Sequence, residues 1–191
     1  MKIGVLALQG AYIEHIHKLN ALGVEAAEVR LPRDLDEMDA LIIPGGESTT
    51  IGKLAQMYDM ITPLRQFASE KAVWGTCAGM ILMAKDIGRQ QPLLGLMDIR
   101  VQRNAFGRQR ESFETRLNIS VLKNGNSDPF PCIFIRSPKL VETKDNVKVV
   151  AHLADGTAVA ALQEKLLVTA FHPELTQDVR FHEYFLSLVQ I

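Results

Sequence analysis

Val73-Trp74-Gly75-Thr76-Cys77-Ala78-Gly79-Met80 is the stretch whose reading decides the fold. A buried strand over residues 72–74 enters Gly75, and a helix over residues 80–84 leaves Gly79. A strand that turns this sharply into a helix has the layout of a nucleophile elbow, with cysteine where a hydrolase carries serine. Gly75 and Gly79 stand two residues either side of Cys77, where a β-carbon would clash. The helix aims its free N–H groups and the positive end of its dipole at the sulfur, favouring the thiolate, the nucleophilic form. Without that frame, a cysteine is expected to be packed as a small hydrophobe.

Outward from the elbow, the first half of the chain alternates between two textures. Short apolar runs at residues 2–8, 24–30 and 40–43 read as strands. Residues 11–22 carry Ile13, Ile16, Leu19 and Leu22 at helical spacing, with Gly23 at the C-cap position. Further helices are expected from residue 48 to about residue 60 and over residues 63–70, the former capped by Ser48 or Thr49. Such alternation argues for a parallel sheet covered on both faces. The second half differs. Residues 99–101, 114–122, 131–135, 147–153 and 157–162 read as strands joined by short turns, with Asn124-Gly125 and Asp155-Gly156 as hairpin dipeptides. These form an antiparallel extension or mixed edge strands. Residues 166–171 give one more apolar strand, and residues 180–189 a closing amphipathic helix. With no repeat, linker or low-complexity segment, residues 1–191 are expected to form one α/β domain.

Composition narrows the classes of function. Apolar residues make up 47% and charged residues 23%, with a formal net charge of −1, so nothing draws the chain to nucleic acid or an anionic membrane. The N-terminal apolar run goes straight into Gln9 and Gly10, unlike a secretory signal. No segment approaches the roughly 20 apolar residues that span a bilayer. Two cysteines in dissimilar surroundings make no disulfide framework, and a cytoplasmic protein with free thiols is expected.

A thiolate that attacks an amide needs a proton donor for the leaving nitrogen, usually a histidine held by a carboxylate. Phe171-His172-Pro173-Glu174 follows the apolar run at 166–170, on the sheet edge where Cys77 also lies. Alone, His-Pro-Glu would equally suit a helix start after a surface histidine; its force comes from the pairing with Cys77. Pro44-Gly45-Gly46-Glu47-Ser48-Thr49 ends another strand. Its backbone N–H groups, Gly46 above all, suit a developing oxyanion, and the N–H of Ala78 is the natural second donor. An ordinary strand-to-helix turn is compatible with that role. A phosphate loop is not expected, because the Gly-Lys-Ser/Thr ending is missing.

These elements in this order resemble class I glutamine amidotransferases. The match narrows with Leu8-Gln9-Gly10, Glu14-His15, the Gly-Gly-Glu-Ser-Thr turn, Arg103-Asn104-Ala105-Phe106-Gly107-Arg108-Gln109 and Phe134-Ile135-Arg136. Together they resemble the glutaminase subunits of pyridoxal 5′-phosphate synthases over essentially the whole chain. Ala105 is a minor variant of that pattern. The resemblance implies a three-layer, doubly wound, flavodoxin-like α/β fold with a mainly parallel sheet. It implies hydrolysis of L-glutamine by Cys77, His172 and Glu174, with Gly46 and Ala78 as the oxyanion hole. Gly46, Glu47, Ser48, Arg103, Ile135 and Arg136 would bind the substrate, with no metal and no cofactor. Ammonia would pass to a (β/α)8-barrel synthase subunit. An arginine fork suits the α-carboxylate of a free amino acid, and a carboxylate such as Glu47 suits its ammonium.

Rival readings are a peptidase- or deglycase-like relative with an elbow cysteine, a regulatory module with a vestigial pocket, and an amidotransferase subunit serving another synthase. Cys132 is expected to be a strand thiol, and His182 a structural residue. His15 and His17 are expected to face a partner or solvent; two apart on a helix, they share no face and lack zinc spacing.

Overall fold

Four short apolar runs form the centre of the sheet, and three of them, at residues 2–6, 40–43 and 72–76, lead into glycine-bearing turns. The computed structural model describes residues 1–104 and 112–190. Its first half runs β1 (Lys2–Leu6), α1 (Tyr12–Ala21), β2 (Glu25–Val29), β3 (Ala40–Ile43), α2 (Ser48–Met57), α3 (Ile61–Glu70), β4 (Ala72–Thr76) and α4 (Ala78–Met83). The second half is mostly strand: β5 (Ala84–Asp86), β6 (Met97–Gln102), β7 (Ser112–Leu117), β8 (Phe130–Ile135), β9 (Lys139–Thr143), β10 (Lys148–His152), β11 (Ala158–Gln163) and β12 (Leu166–Thr169). A 3₁₀ turn at Pro173–Leu175 and helix α5 (Arg180–Val189) close it.

The seven-stranded main sheet has the order β10-β11-β12-β4-β3-β1-β2. Its stretch β2-β1-β3-β4-β12 is parallel throughout, the doubly wound flavodoxin-like order. Strands β11 and β10 are antiparallel and supply the expected extension. Two smaller sheets, β5-β6-β9 and β7-β8, stand beside it.

Side-chain alternation along β4 assigns the layers. Trp74 and Thr76 point to one face, where the Trp74 ring meets Phe181 and Phe185 of α5 and His15 of α1. Gly75 points to the other face, and a β-carbon built there would strike Gly79 and Met83 of α4. Helices therefore cover both faces, as expected. Trp74 is 0% exposed, and its indole N–H donates to Thr169 Oγ1 at 3.3 Å, so its large apolar body is buried without an orphaned donor.

The structure differs from the sequence reading at several points. Strand 114–122 stops at Leu117, because Ile119 and Leu122 turn inward instead and the Ile119 N–H donates to Gly125 O at 3.0 Å. Asp155-Gly156 does close a hairpin, between β10 and β11. The short, half-polar strands β5 and β9 have no signal in the sequence. On α1 the buried stripe passes through His15 and Leu19, leaving Ile13 47% exposed.

Candidate active site

Cys77 sits between β4 and α4 with φ 49° and ψ −99°, a conformation costly for any residue with a β-carbon. Its neighbours leave no alternative. The Cys77 N–H donates to Thr169 O at 2.8 Å, tying the end of β4 to β12. A β-carbon on Gly79 would run into the Ile43 carbonyl, so α4 can pack this close to β3 only with glycine there. The Cys77 side chain is held outward into the cleft at the carboxyl ends of the parallel strands.

His172 follows β12, and its N–H donates to Ile133 O at 2.9 Å. Pro173 then opens a 3₁₀ turn, a position that needs no donor. The turn swings Glu174 back under the imidazole, where Oε1 accepts from His172 Nδ1 at 2.6 Å. Burial opposes charge on His172, but hydrogen bonds with Cys77 and Glu174 outweigh it and raise the imidazole pKa to about 10. At neutral pH the ring is an imidazolium with a proton to give. Gly45 belongs to the same constellation: a β-carbon there would collide with the His172 ring.

The turn after β3 is pinned on both sides of the Gly46 amide. Gly45 O accepts from Ala11 N–H at 2.9 Å, and Glu47 N–H donates to Gln9 Oε1 at 2.8 Å. The cap of α2 is Glu47, not Ser48 or Thr49 as the sequence suggested. Its carboxylate accepts from Thr49 N–H and Thr50 N–H at 3.2 and 2.7 Å. Burial would raise the Glu47 pKa, but the hydrogen bonds from Thr50 and Thr49 hold it at about 2. Arg103 Nη2 donates to the same carboxylate at 3.0 Å, while Arg103 Nη1 donates to Gln91 Oε1 at 2.7 Å and Thr49 Oγ1 at 3.0 Å. Gln91 also donates to Ser48 Oγ at 3.3 Å.

These elements surround a cleft of about 380 Å³. Of the residues expected from the sequence, Gly46, Glu47, Ser48, Cys77, Arg103, Ile135, Arg136 and His172 line it. Glu174 lies behind His172, 3% exposed, and Ala78 begins α4 beside Cys77. Three non-glycine residues on its wall, Cys77, Asn104 and Arg136, have positive φ values of 49°, 48° and 44°. Backbone strain gathered at one cleft marks a functional surface. Residues 105–109 of the Arg103–Gln109 motif lie outside the described residues.

A family model described as the SNO glutamine amidotransferase family matches residues 5–190. The chain belongs to the SNO glutamine amidotransferase family. This SNO-family chain is 57% identical to the pyridoxal 5′-phosphate synthase subunit PdxT of Herpetosiphon aurantiacus, covering 98% of this chain and 100% of that one. It is 53% identical to the subunit of the same name from Desulforamulus reducens, covering 100% of both. A crystal structure described as a glutamine amidotransferase superposes with a TM-score of 0.92 at 47% identity, covering 99% of each chain. The structure of PurLQS from Thermotoga maritima, at 17% identity, TM-score 0.74 and 97% coverage of each chain, shares the fold.

Sequence reasoning missed parts of the SNO-family site. Gln9 had entered only as part of a motif, and Gln91 carried no signal. His15, expected at a partner or solvent, is 0% exposed and stands 3.5 Å from Glu174 Oε2. Among these, Gln91 meets Ser48 across 43 residues of sequence, a separation no local pattern can report. Cys132, as expected, is a strand thiol, 1% exposed on β8 and pushed up in pKa by burial. His182 is buried against Trp74, as a structural residue would be.

Proposed function

We propose that the chain, one glutamine amidotransferase domain over residues 1–191, is the glutaminase subunit of a pyridoxal 5′-phosphate synthase. In this reading it hydrolyses L-glutamine to glutamate and ammonia. The observation that carries the reading is the union of two devices in one cleft. Cys77 lines the cleft beside a cationic His172 that is backed by Glu174. Beside it, Arg103 and Glu47 form a pair of opposite charges 3.0 Å apart, matched to the head of a free amino acid.

The Cys77 thiolate attacks the side-chain carboxamide carbon, and a C–S bond forms as the carbonyl electrons move to oxygen. The N–H groups of Gly46 and Ala78 stabilise that oxyanion. As the C–N bond breaks, His172 gives its proton to the leaving nitrogen, and ammonia departs from a γ-glutamyl thioester. Neutral His172 then takes a proton from water, whose oxygen attacks the thioester. Collapse expels the Cys77 thiolate and glutamate, and the imidazolium is restored. Glu174 holds the ring in the Nδ1–H tautomer and supports its charge.

Arg103 and Arg136 take the α-carboxylate, Glu47 the α-ammonium, and Gly46, Ser48 and Ile135 complete the pocket. Without substrate, Arg103 and Glu47 neutralise each other, so glutamine exchanges one internal ion pair for two external ones. The relatives' name, a synthase subunit, supports the partner: a (β/α)8-barrel synthase subunit in a hetero-oligomer, receiving ammonia before water protonates it. Among the described residues no helix is long and apolar enough to cross a membrane, and we place the complex in the cytoplasm.

The test is ammonia release from glutamine by the chain with and without the barrel subunit, for wild type and Cys77→Ala. Turnover by wild type and none by Cys77→Ala is expected, with turnover raised by the synthase. Full activity of Cys77→Ala would remove the nucleophile; indifference to the synthase would remove the partner.

A further inference from the structure

Behind the triad, against Glu174, lies a buried polar cluster whose His15, His182 and Thr76 glutamine hydrolysis does not use. His15 of α1 is 0% exposed. Its Nδ1 is 3.0 Å from His182 Nε2 of α5, and its Nε2 is 3.2 Å from Thr76 Oγ1 at the end of β4. The same Nε2 lies 3.5 Å from Glu174 Oε2. Trp74 walls the pair, its ring centroid 5.6 Å from His15 and 5.0 Å from His182, both edge-on. Two buried atoms of the cluster lack a hydrogen-bond partner: Glu174 Oε2 and His182 Nδ1.

The proton positions follow from those two atoms. If His15 carried its proton on Nδ1, it would donate to His182, whose proton would then sit on Nδ1 as a buried donor with no acceptor. Glu174 Oε2 would face the Nε2 lone pair. With the His15 proton on Nε2, His182 donates from Nε2 to His15 Nδ1, and only an acceptor is left idle at His182 Nδ1. The Nε2–H of His15 then serves the Thr76 hydroxyl, with the bare carboxylate oxygen 3.5 Å from the same nitrogen. One bond at each ring thus fixes the tautomer of the next.

Both rings are neutral. Burial opposes a charge on His15, and His182 and His172 repel one, so its pKa lies well below the usual value. Burial, then Lys18, holds His182 at about 3. Neutrality is what the carboxylate needs here. A cationic His15 would compete with His172 for it, whereas a neutral donor supports the charge and leaves Oε1 to the catalytic ring.

We propose that His15 is a positioning residue for the glutaminase reaction, an Nε2–H donor oriented by His182 that keeps the buried Glu174 carboxylate aimed at His172. The inference rests on the glutaminase reading above. The titratable and charged groups around the cluster are His15 and Lys18 on α1, His182 on α5, Cys77 at the elbow, and His172 and Glu174 at the 3₁₀ turn. Without the His15 donor, Glu174 is held less well against His172, its support for imidazolium weakens, and the His172 pKa falls. The alkaline limb of activity, where His172 loses the proton it must give to ammonia, therefore moves to lower pH.

The test measures glutamine turnover for wild type, His15→Leu and His15→Gln, each with the synthase subunit. For His15→Leu, kcat is expected to fall about tenfold to a hundredfold, the rate equivalent of a polar contact to a charged group being lost. KM should stay within about twofold, because His15 does not touch the cleft; uniform binding is unchanged when only kcat falls. The alkaline limb should move down in pH. Glutamine at position 15 can present an N–H near the same oxygen, so His15→Gln should recover most of kcat and restore the limb. A folded His15→Leu with wild-type kcat and pH profile would overturn the proposal, as would a His15→Gln no better than leucine. Should the leucine variant fail to fold, imidazole nitrogen shifts of the wild type decide: His15 protonated on Nδ1, or charged at neutral pH, would overturn it. Absence of turnover in the wild type with its synthase would instead sink the glutaminase reading, while the nitrogen shifts would still test the donor.

Discussion

Glu174 accepts the His172 proton bond at 2.6 Å from a position 3% exposed, where water cannot take its place. Replacing the carboxylate by an amide of the same shape removes the charge and keeps the packing. Glu174→Gln is therefore expected to melt near wild type but to lose at least about tenfold in kcat for glutamine hydrolysis, one proton-transfer partner being mis-set. Its alkaline limb should lie at lower pH than the wild-type limb, since the His172 pKa of about 10 depends on Glu174 as well as Cys77. Arg103 gives a contrasting outcome. With its fork on Glu47, Gln91 and Thr49, Arg103→Ala should raise KM for glutamine by about tenfold to a hundredfold, the value of a hydrogen bond to a charged group. The kcat should change far less. Steady-state kinetics across pH separates the two. Glu174 was legible because it stood in a proline-framed turn beside His172, where local sequence reports geometry, whereas Arg103 was legible only through the resemblance its motif carries. Gln91 and His15 were not. Their partners, Ser48 and Thr76 among them, come near only after the sheet closes, and a histidine on a helix gives no sign that it faces the core.

The elbow is a property of an element junction, and its tightest point is Gly79. A methyl group there would meet a backbone carbonyl, that of Ile43, and a backbone atom cannot swing aside as a side-chain end can. Gly79→Ala should therefore force α4 away from β3, costing about 1–3 kcal/mol as overpacking does, read as a lowered urea midpoint. Because α4 carries the Ala78 N–H, activity should fall further than stability does. The glycine frame, the strand before it and the helix after it were all readable from eight consecutive residues, since the whole device is local. Elsewhere the boundaries held less well. Residues 114–122 alternate like a strand, yet Ile119 and Leu122 bury themselves by folding back at Asn124, which takes φ 57°. Strands β5 and β9 exist because neighbours pair with them, not because their own residues demand it. Along α1, apolar spacing placed Ile13 inward; a polar group, His15, holds that face instead.

Across the whole molecule, strand–helix alternation made the class of sheet legible, while the strand order and the three-sheet division depend on long-range pairings that no run of residues encodes. Those pairings bring His15 and His182, 167 residues apart, into one buried contact and so give the fold a pH sensitivity. Both histidines are held below the ordinary value of 6.5, chiefly by burial. The unfolded chain takes up their protons first as pH falls through 6.5, so stability is lost on the acid side and rises with pH across that window. The lowered carboxylates, Glu47 and Asp98 among them, start from 4.5 and 3.8 and cost stability only at lower pH still. His172 has the opposite sign. Raised to about 10, it contributes stability that is whole below 6.5 and lost as pH rises through 10, so it adds no slope on the acid side. Between pH 6.5 and 4.5 the two buried histidines should therefore each contribute up to about 1.4 kcal/mol per pH unit. Urea unfolding at a series of pH values measures this slope directly. His182→Phe keeps an aromatic ring against Trp74 and removes one of the two protons, so its slope should be about half that of wild type, by the same linkage. An unchanged slope in that variant would place the acid sensitivity outside the His15–His182 contact.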